Sequence, residues 1–232
     1  MRLAINGWFC DRPDTGSGQY LRELLAHLPP GVETILVLPA EYSIPNTEHA
    51  SRLTPHVSRP PIAQKNLAKV WFEQIAFPRA CRELKADLAH VPYWAPPFTS
   101  PVPFVVTIHD IMPLLLPEYR DTIQMRAYFS LVSATTHGAA HVIADSEASR
   151  NDILEHLHLA PEKVTAIPLA VGPQYQPAPD SALDSAARRK YDLPDSYVLY
   201  LGGFHPRKNA RNLLAAWTWA AGPIGENYPL VI

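Results

Sequence analysis

The sequence predicts an α/β protein: a doubly wound parallel sheet, followed by the first βα unit of a second sheet. Three observations predict it. Short continuous apolar runs such as Thr34 to Leu38 and Phe104 to Ile108 have the character of strands buried on both faces. They alternate with segments of helical period, the order that builds a parallel sheet. Two strand ends open into glycine-bearing turns before a helix, Asp14 to Gly18 and Gly202 to Asn209.

Arg2 to Asn6 is the first expected strand, and the stripe Tyr20, Leu21, Leu24, Leu25 and Leu28 marks a helix stopped by Pro29-Pro30-Gly31. Thr34 to Leu38 is the second strand. Ala40 to Gln64 lacks a period and reads as a long loop with a short strand near Val57. Lys65 to Leu84 reads as a helix carrying Leu67, Val70, Trp71, Ile75 and Leu84, with a kink or break at Pro78. Strands Asp87 to Val91 and Phe104 to Ile108 follow, then helix Thr122 to His137, strand Ala140 to Ala144, helix Ser149 to Leu157 and strand Val164 to Ile167. Prolines crowd the segment after Gly172, and Ser181 to Tyr191 reads as a polar helix. Residues 1–172 are therefore expected to form one domain, 173–195 a connection, and 196–232 the start of a second domain. There, strand Tyr197 to Leu201 leads into a helix with Leu213, Leu214 and Trp217, and Tyr228 to Ile232 begins another strand.

The 232 residues are 47% apolar and 18% charged, enough to bury a core and unlike a disordered chain. A formal charge of −2 argues against a dedicated nucleic-acid binder. Cys10 and Cys81 stand apart without metal-ligand spacing, and no start resembles a signal peptide, so a reducing cytosol is the expected compartment. Contact with the inner face of the cytoplasmic membrane stays open: Trp71, Phe72 and Phe77 with neighbouring cations could rest on an acidic bilayer, or simply pack on the sheet.

Four constellations bear on chemistry. Gly16 and Gly18 sit in a glycine loop that is not the dinucleotide fingerprint, since Leu21 occupies the third glycine place; it reads as a plain turn or as a phosphate contact. His109-Asp110 follows a buried strand, where open sheets place ligands. Asp145-Ser146 precedes a helix and reads foremost as a cap. Gly202, Gly203, Arg207 and Lys208 combine close backbone approach with two full positive charges, which suits an anion.

Taken in order, Thr15-Gly16-Ser17-Gly18-Gln19-Tyr20, Thr107-Ile108-His109-Asp110, Ala144-Asp145-Ser146 and Leu201-Gly202-Gly203-Phe204-His205-Pro206-Arg207-Lys208-Asn209 resemble the family 4 retaining glycosyltransferases, and among them mannosyltransferase-like members. The resemblance implies a GT-B architecture: a Rossmann-like N-terminal domain on the acceptor side and a second, donor-binding domain within which this chain breaks off. It implies transfer of a hexosyl group, mannosyl in the nearest members, from a nucleoside-diphosphate sugar to a glycan or lipid-linked acceptor with retention. The 232 residues alone are then expected to be inactive. His109 would position the donor sugar, and Asp110 would orient that ring or act on the acceptor side. Gly16, Gly18, Gly202, Gly203, Arg207 and Lys208 would hold the diphosphate, whose departing charge needs cations and helix amino ends but no metal and no cofactor. Relatives commonly carry arginine where this chain has Gly203, and the family's paired-glutamate donor motif does not occur. A nucleotide-sugar epimerase or hydrolase, or a non-catalytic sugar-binding module, would share the same fold.

Overall fold

A computed structural model of the chain describes residues 1–40, 53–172, 181–225 and 227–232, with only the backbone described at 181–184, 207 and 223. It divides into two compact units, Met1–Val171 and Gly172–Ile232.

The first unit runs β1 (Arg2–Asn6), α1 (Gly16–Ala26), β2 (Glu33–Leu38), β3 (Leu53–Val57), α2 (Lys65–Trp71), a π-helical turn (Phe72–Ala76), α3 (Phe77–Glu83), β4 (Leu88–Val91), β5 (Phe104–Ile108), α4 (Met112–Leu115), α5 (Ile123–Thr136), β6 (His141–Ala144), α6 (Glu147–Leu157) and β7 (Val164–Ala166). The strands form one parallel sheet in the order β3-β2-β1-β4-β5-β6-β7. Successive side chains of a strand face opposite ways. Ala4, Ile35 and Val37 therefore join one core with Phe72, Phe77, Val132 and Ile153, whereas Ile5, Leu36 and Leu38 join another with Leu21 and Leu25 of α1. Both faces are covered, as the apolar runs predicted. Pro55 is tolerated because β3 is an edge strand, bonded only to β2. Of the long loop expected before it, residues 41–52 lie outside those described.

Two local expectations are corrected. The turn at Asp14 to Gly18 is already helical from Gly16, because extended Thr15 caps α1 and its Oγ1 accepts from Gly18 N at 3.1 Å. The irregularity in the long helix lies before Pro78, in the π-helical turn, where Phe77 N bonds back to Phe72 O. Proline at 78 has no N–H for Gln74, so α3 restarts with Pro78 in its first turn. The inserted residue shifts the buried stripe to Ala68, Phe72, Ala76, Phe77, Ala80 and Cys81, and leaves Leu67 and Ile75 53% and 52% exposed. Phe72 and Phe77 are core residues, so they cannot supply a bilayer-facing surface. Among the described residues no helix is long and apolar enough to cross a membrane.

His90 of β4 is buried, its Nε2 2.9 Å from Thr107 Oγ1 on β5. Burial, and secondarily the nearby His109, push its pKa down to about 4. A histidine depressed in the folded state protonates more readily when unfolded. Its contribution is whole above about pH 6.5 and is lost as pH falls towards 4. Urea unfolding at pH 7 and at pH 4.5 is expected to differ by about 2–3 kcal/mol on this account, and His90→Gln is expected to remove most of that difference. An unchanged pH dependence in the variant would refute it.

The second unit contains α7 (Ser181–Lys190), β8 (Val198–Leu199), α8 (Ala210–Ala220) and β9 (Leu230–Val231), with β8 and β9 parallel. The strand expected over Tyr197 to Leu201 is regular for two residues only. A two-stranded ladder holds little beyond itself, and Leu201 and Phe204 remain exposed. Residues 173–180 of the expected connection lie outside those described.

Candidate functional site

Strand β1 lies between β2 and β4, so the chain winds outwards in both directions from this point, and such a switch point opens a crevice at the carboxyl ends of the strands. A cavity of about 490 Å³ lies there. Its wall takes Thr15, Gly16 and Ser17 from the amino end of α1, Tyr93 and Trp94 from beyond β4, His109 and Asp110 from beyond β5, and Asp145 from beyond β6; Lys69 of α2 and Tyr128 and Phe129 of α5 close the side.

His109 is held on three sides. Its Nδ1 lies 2.7 Å from Asp145 Oδ2, its carbonyl accepts from Ser149 Oγ at 3.0 Å, and the Tyr20 ring meets it edge to face at 4.9 Å. Tyr20 is itself fixed through its hydroxyl, 3.1 Å from Thr107 Oγ1. Burial raises the Tyr20 pKa, keeping the phenol neutral. Among the described residues His109 Nε2 and Asp145 Oδ1 are buried without a hydrogen-bond partner. An unmet buried polar atom costs about 1–3 kcal/mol, and a bound hydroxyl donating to Nε2 would recover it.

Asp110 also lines the cavity, but it does not orient His109. Its Oδ1 accepts from Met112 N at 3.1 Å, an Asx turn that opens α4. The orienting carboxylate is Asp145, and Ser146 is the cap of α6, accepting from Ser149 N at 3.1 Å. Capping explains Ser146; it leaves Asp145 free to face the cavity.

Gly16 and Gly18 divide in role. Gly16 lines the cavity with nothing within 4 Å of where a Cβ would stand, whereas Gly18 is pressed against the backbone of Arg12. In the second unit Gly202 packs on Tyr200, whose hydroxyl would lie 3.0 Å from a Cβ there and donates to Gly203 O at 3.0 Å. Lys208 is exposed, in a 3₁₀ turn that leads through Asn209 into α8. The side chain of Arg207 lies outside those described.

Sequence reasoning missed Asp145 and Tyr20 as partners of the site, and Lys69, Glu73, Tyr93 and Tyr128 altogether. Glu73 is fully buried and bonds Lys69 and Tyr128. The available signal was its four-residue spacing from Lys69, which reads equally as a solvent-exposed helix pair.

The family model for Glycosyltransferase Family 4 matches residues 15–175. The chain belongs to glycosyltransferase family 4. The matched residues include Thr15, His109, Asp110 and Asp145 of the cavity wall. Among curated relatives, the serotype-specific mannosyltransferase WbdA of Escherichia coli is 29% identical over 135 residues, 55% of this chain and 16% of its own length. The O-antigen chain mannosyltransferase B of Escherichia coli is 29% identical over 130 residues, 55% of this chain and 34% of its own. Sucrose-phosphate synthase from Thermosynechococcus elongatus matches with a TM-score of 0.64 at 19% identity, over 94% of this chain and 59% of its own. Anabaena HepE in complex with UDP and glucose gives 0.64 at 16% identity, over 99% and 60%. At such identities the likeness concerns the fold: the first unit is the Rossmann-like N-terminal domain of the GT-B glycosyltransferases. The chain spans a small part of the curated relatives it matches.

Proposed function

We propose that this chain contributes the acceptor-side domain, and part of the donor-side domain, of an enzyme that transfers a hexosyl group, mannosyl in our reading, from a nucleoside-diphosphate sugar to a glycan or lipid-linked acceptor with retention. The observation that carries it is the buried, unpartnered Nε2 of His109. Asp145 aims that ring at the carboxyl end of β5, into a cavity shared with the amino end of α1. Family membership and the mannosyltransferase relatives support the reaction class.

In the proposed reaction the bond from the anomeric carbon to the diphosphate oxygen breaks as an acceptor hydroxyl adds on the same face. The hydroxyl proton passes to the departing phosphate. His109 Nε2 holds a donor-sugar hydroxyl in place. By the sequence motif that holds them, Arg207 and Lys208 are assigned to the diphosphate, where fixed positive charge offsets what grows on the leaving group. Because β8 and β9 form only a two-stranded ladder, the 232 residues alone are expected to turn over poorly.

The test is a transfer assay on the full protein with isotope-labelled mannosyl donors and a mannoside acceptor, reading the anomeric configuration of the product by NMR. Retained linkage supports the reading; released free sugar, an epimerised donor or inverted linkage overturns it. In the same assay Lys208→Ala is expected to lower turnover by about a hundredfold, as for removal of one preorganised charge donor. Near-normal turnover with unaltered diphosphate affinity would remove Lys208 from the site.

A further inference from the structure

Next to the cavity lies a polar group that the proposed transfer does not use. Glu73, on the π-helical turn, is fully buried and bonds two residues that line the cavity, Lys69 and Tyr128. Lys69 Nζ bonds Glu73 Oε1 and the Tyr128 hydroxyl, and that hydroxyl lies 3.3 and 3.1 Å from the two Glu73 oxygens. The ammonium also stands over the rings of Tyr93 and Tyr128, 5.1 and 4.6 Å from their centres. Burial pushes the Glu73 pKa up against the opposing pull of Lys69. Such a pair is costly to bury and contributes less to stability than apolar packing of the same volume. Its position points to a use at the cavity instead. π-helical turns recur at functional sites for the same reason: they place one side chain where a regular helix would not.

Chemistry narrows the ligand. An ammonium has three protons, and Glu73 and Tyr128 take two; the third belongs to a side chain that lines the cavity. Glu73 cancels the Lys69 charge at close range, so an anion gains little here and a neutral hydroxyl oxygen is the better acceptor. The neighbouring wall is aromatic. Trp94 and Phe129 lie 6.0 Å apart with planes tilted by 35°, and Trp94 Nε1 is occupied by Thr136 Oγ1 at 3.0 Å, so what these two offer is ring surface. Ring surface beside a single fixed donor suits the C–H face and one hydroxyl of a sugar ring.

We infer that Lys69, held by Glu73 and Tyr128, forms with the Trp94–Phe129 wall a subsite for a neutral pyranose of the acceptor. The inference rests on the transferase reading and deepens it. Lys69 is a binding residue; Glu73 acts through it as a positioning residue.

Removing Lys69 alone would strand a buried carboxylate, so the test is the charge-neutral double variant Lys69→Met with Glu73→Gln in the full protein, alongside Phe129→Leu. Methyl α-D-mannopyranoside is the probe, followed by saturation-transfer NMR and by acceptor KM. Irradiating aromatic protons of the wild type is expected to saturate the mannoside ring protons. Both variants are expected to raise the mannoside Kd and acceptor KM about tenfold, with circular dichroism and affinity for GDP and UDP unchanged. No saturation of the mannoside in the wild type, or variants with unchanged Kd and KM, would overturn the subsite. Inorganic phosphate that displaces mannoside from the wild type but binds the double variant poorly would overturn it too, by marking an anion site. Mannoside binding through this wall without any sugar transfer would sink the transferase reading alone. Normal transfer with unaltered mannoside binding in the variants would sink the subsite alone.

Discussion

Replacing His109 with alanine in the full protein is expected to lower turnover by about a hundred- to a thousandfold, the range for loss of a preorganised polar group at a reacting centre. Affinity for the bare nucleoside diphosphate should hardly change. The ring offers one free nitrogen, Nε2, buried and unpartnered; everything else about it is devoted to fixing its direction. Asp145 accepts from Nδ1 at 2.7 Å, and Tyr20 and Ser149 brace the ring and its carbonyl. Asp145→Asn is therefore expected to cost about ten- to a hundredfold, as orienting partners do. An amide can donate to Nδ1 and so reverse which nitrogen carries the proton. Steady-state transfer and calorimetry with the nucleoside diphosphate check both variants on the same preparations. Equal loss of diphosphate affinity and turnover in His109→Ala would mean that the ring holds phosphate and not sugar.

Gly18→Ala should unfold the amino end of α1, although Gly16→Ala, two residues away, should not. A Cβ at Gly18 would run into the Arg12 carbonyl oxygen and stand 2.7 Å from its carbon and 3.0 Å from Thr15 Oγ1. That carbonyl cannot yield easily, because it also accepts from Thr15 N at 3.1 Å and Thr15 Oγ1 at 2.8 Å. Relief means breaking the cap, so overpacking and cap loss together are expected to cost about 3 kcal/mol and to lower Tm by on the order of 10 °C. Gly16 has open space around it, and alanine there should keep Tm within about 2 °C while its methyl group narrows the cavity. Calorimetric scans of the two variants decide the matter: matched Tm values would show that the capping geometry is not as described.

The strands were legible because a strand buried on both faces must be a continuous apolar run, and Phe104 to Ile108 is one. Its carboxyl end located His109 for the same reason. Partners across the sheet were not legible. Asp145 is 36 residues from His109, and it stands beside Ser146, whose capping role accounts for the local pattern by itself. Tyr20 fitted the apolar stripe of α1 and was counted there, while its hydroxyl reaches Thr107 on β5. Leu67 and Ile75 misled the reading of α2 and α3 because one inserted helical residue rotates the buried face, and nothing in the spacing of apolar residues announces that rotation. The same insertion hid Glu73 in the core.

The central place of β1 sets the order in which this unit can assemble. Its backbone bonds β2 on one side and β4 on the other, and Arg2 is tied at once to Glu33, through Nε at 2.9 Å, and to Asp87, through its amide at 2.7 Å. The first strand of this unit therefore stays half paired until the chain has grown past Val91, and contacts so distant in sequence close slowly. Through that interval Ile5 and Ala4 expose an unfinished edge. A slow codon stretch or a chaperone acting before residue 91 would touch folding yield far more than the same delay placed after β5.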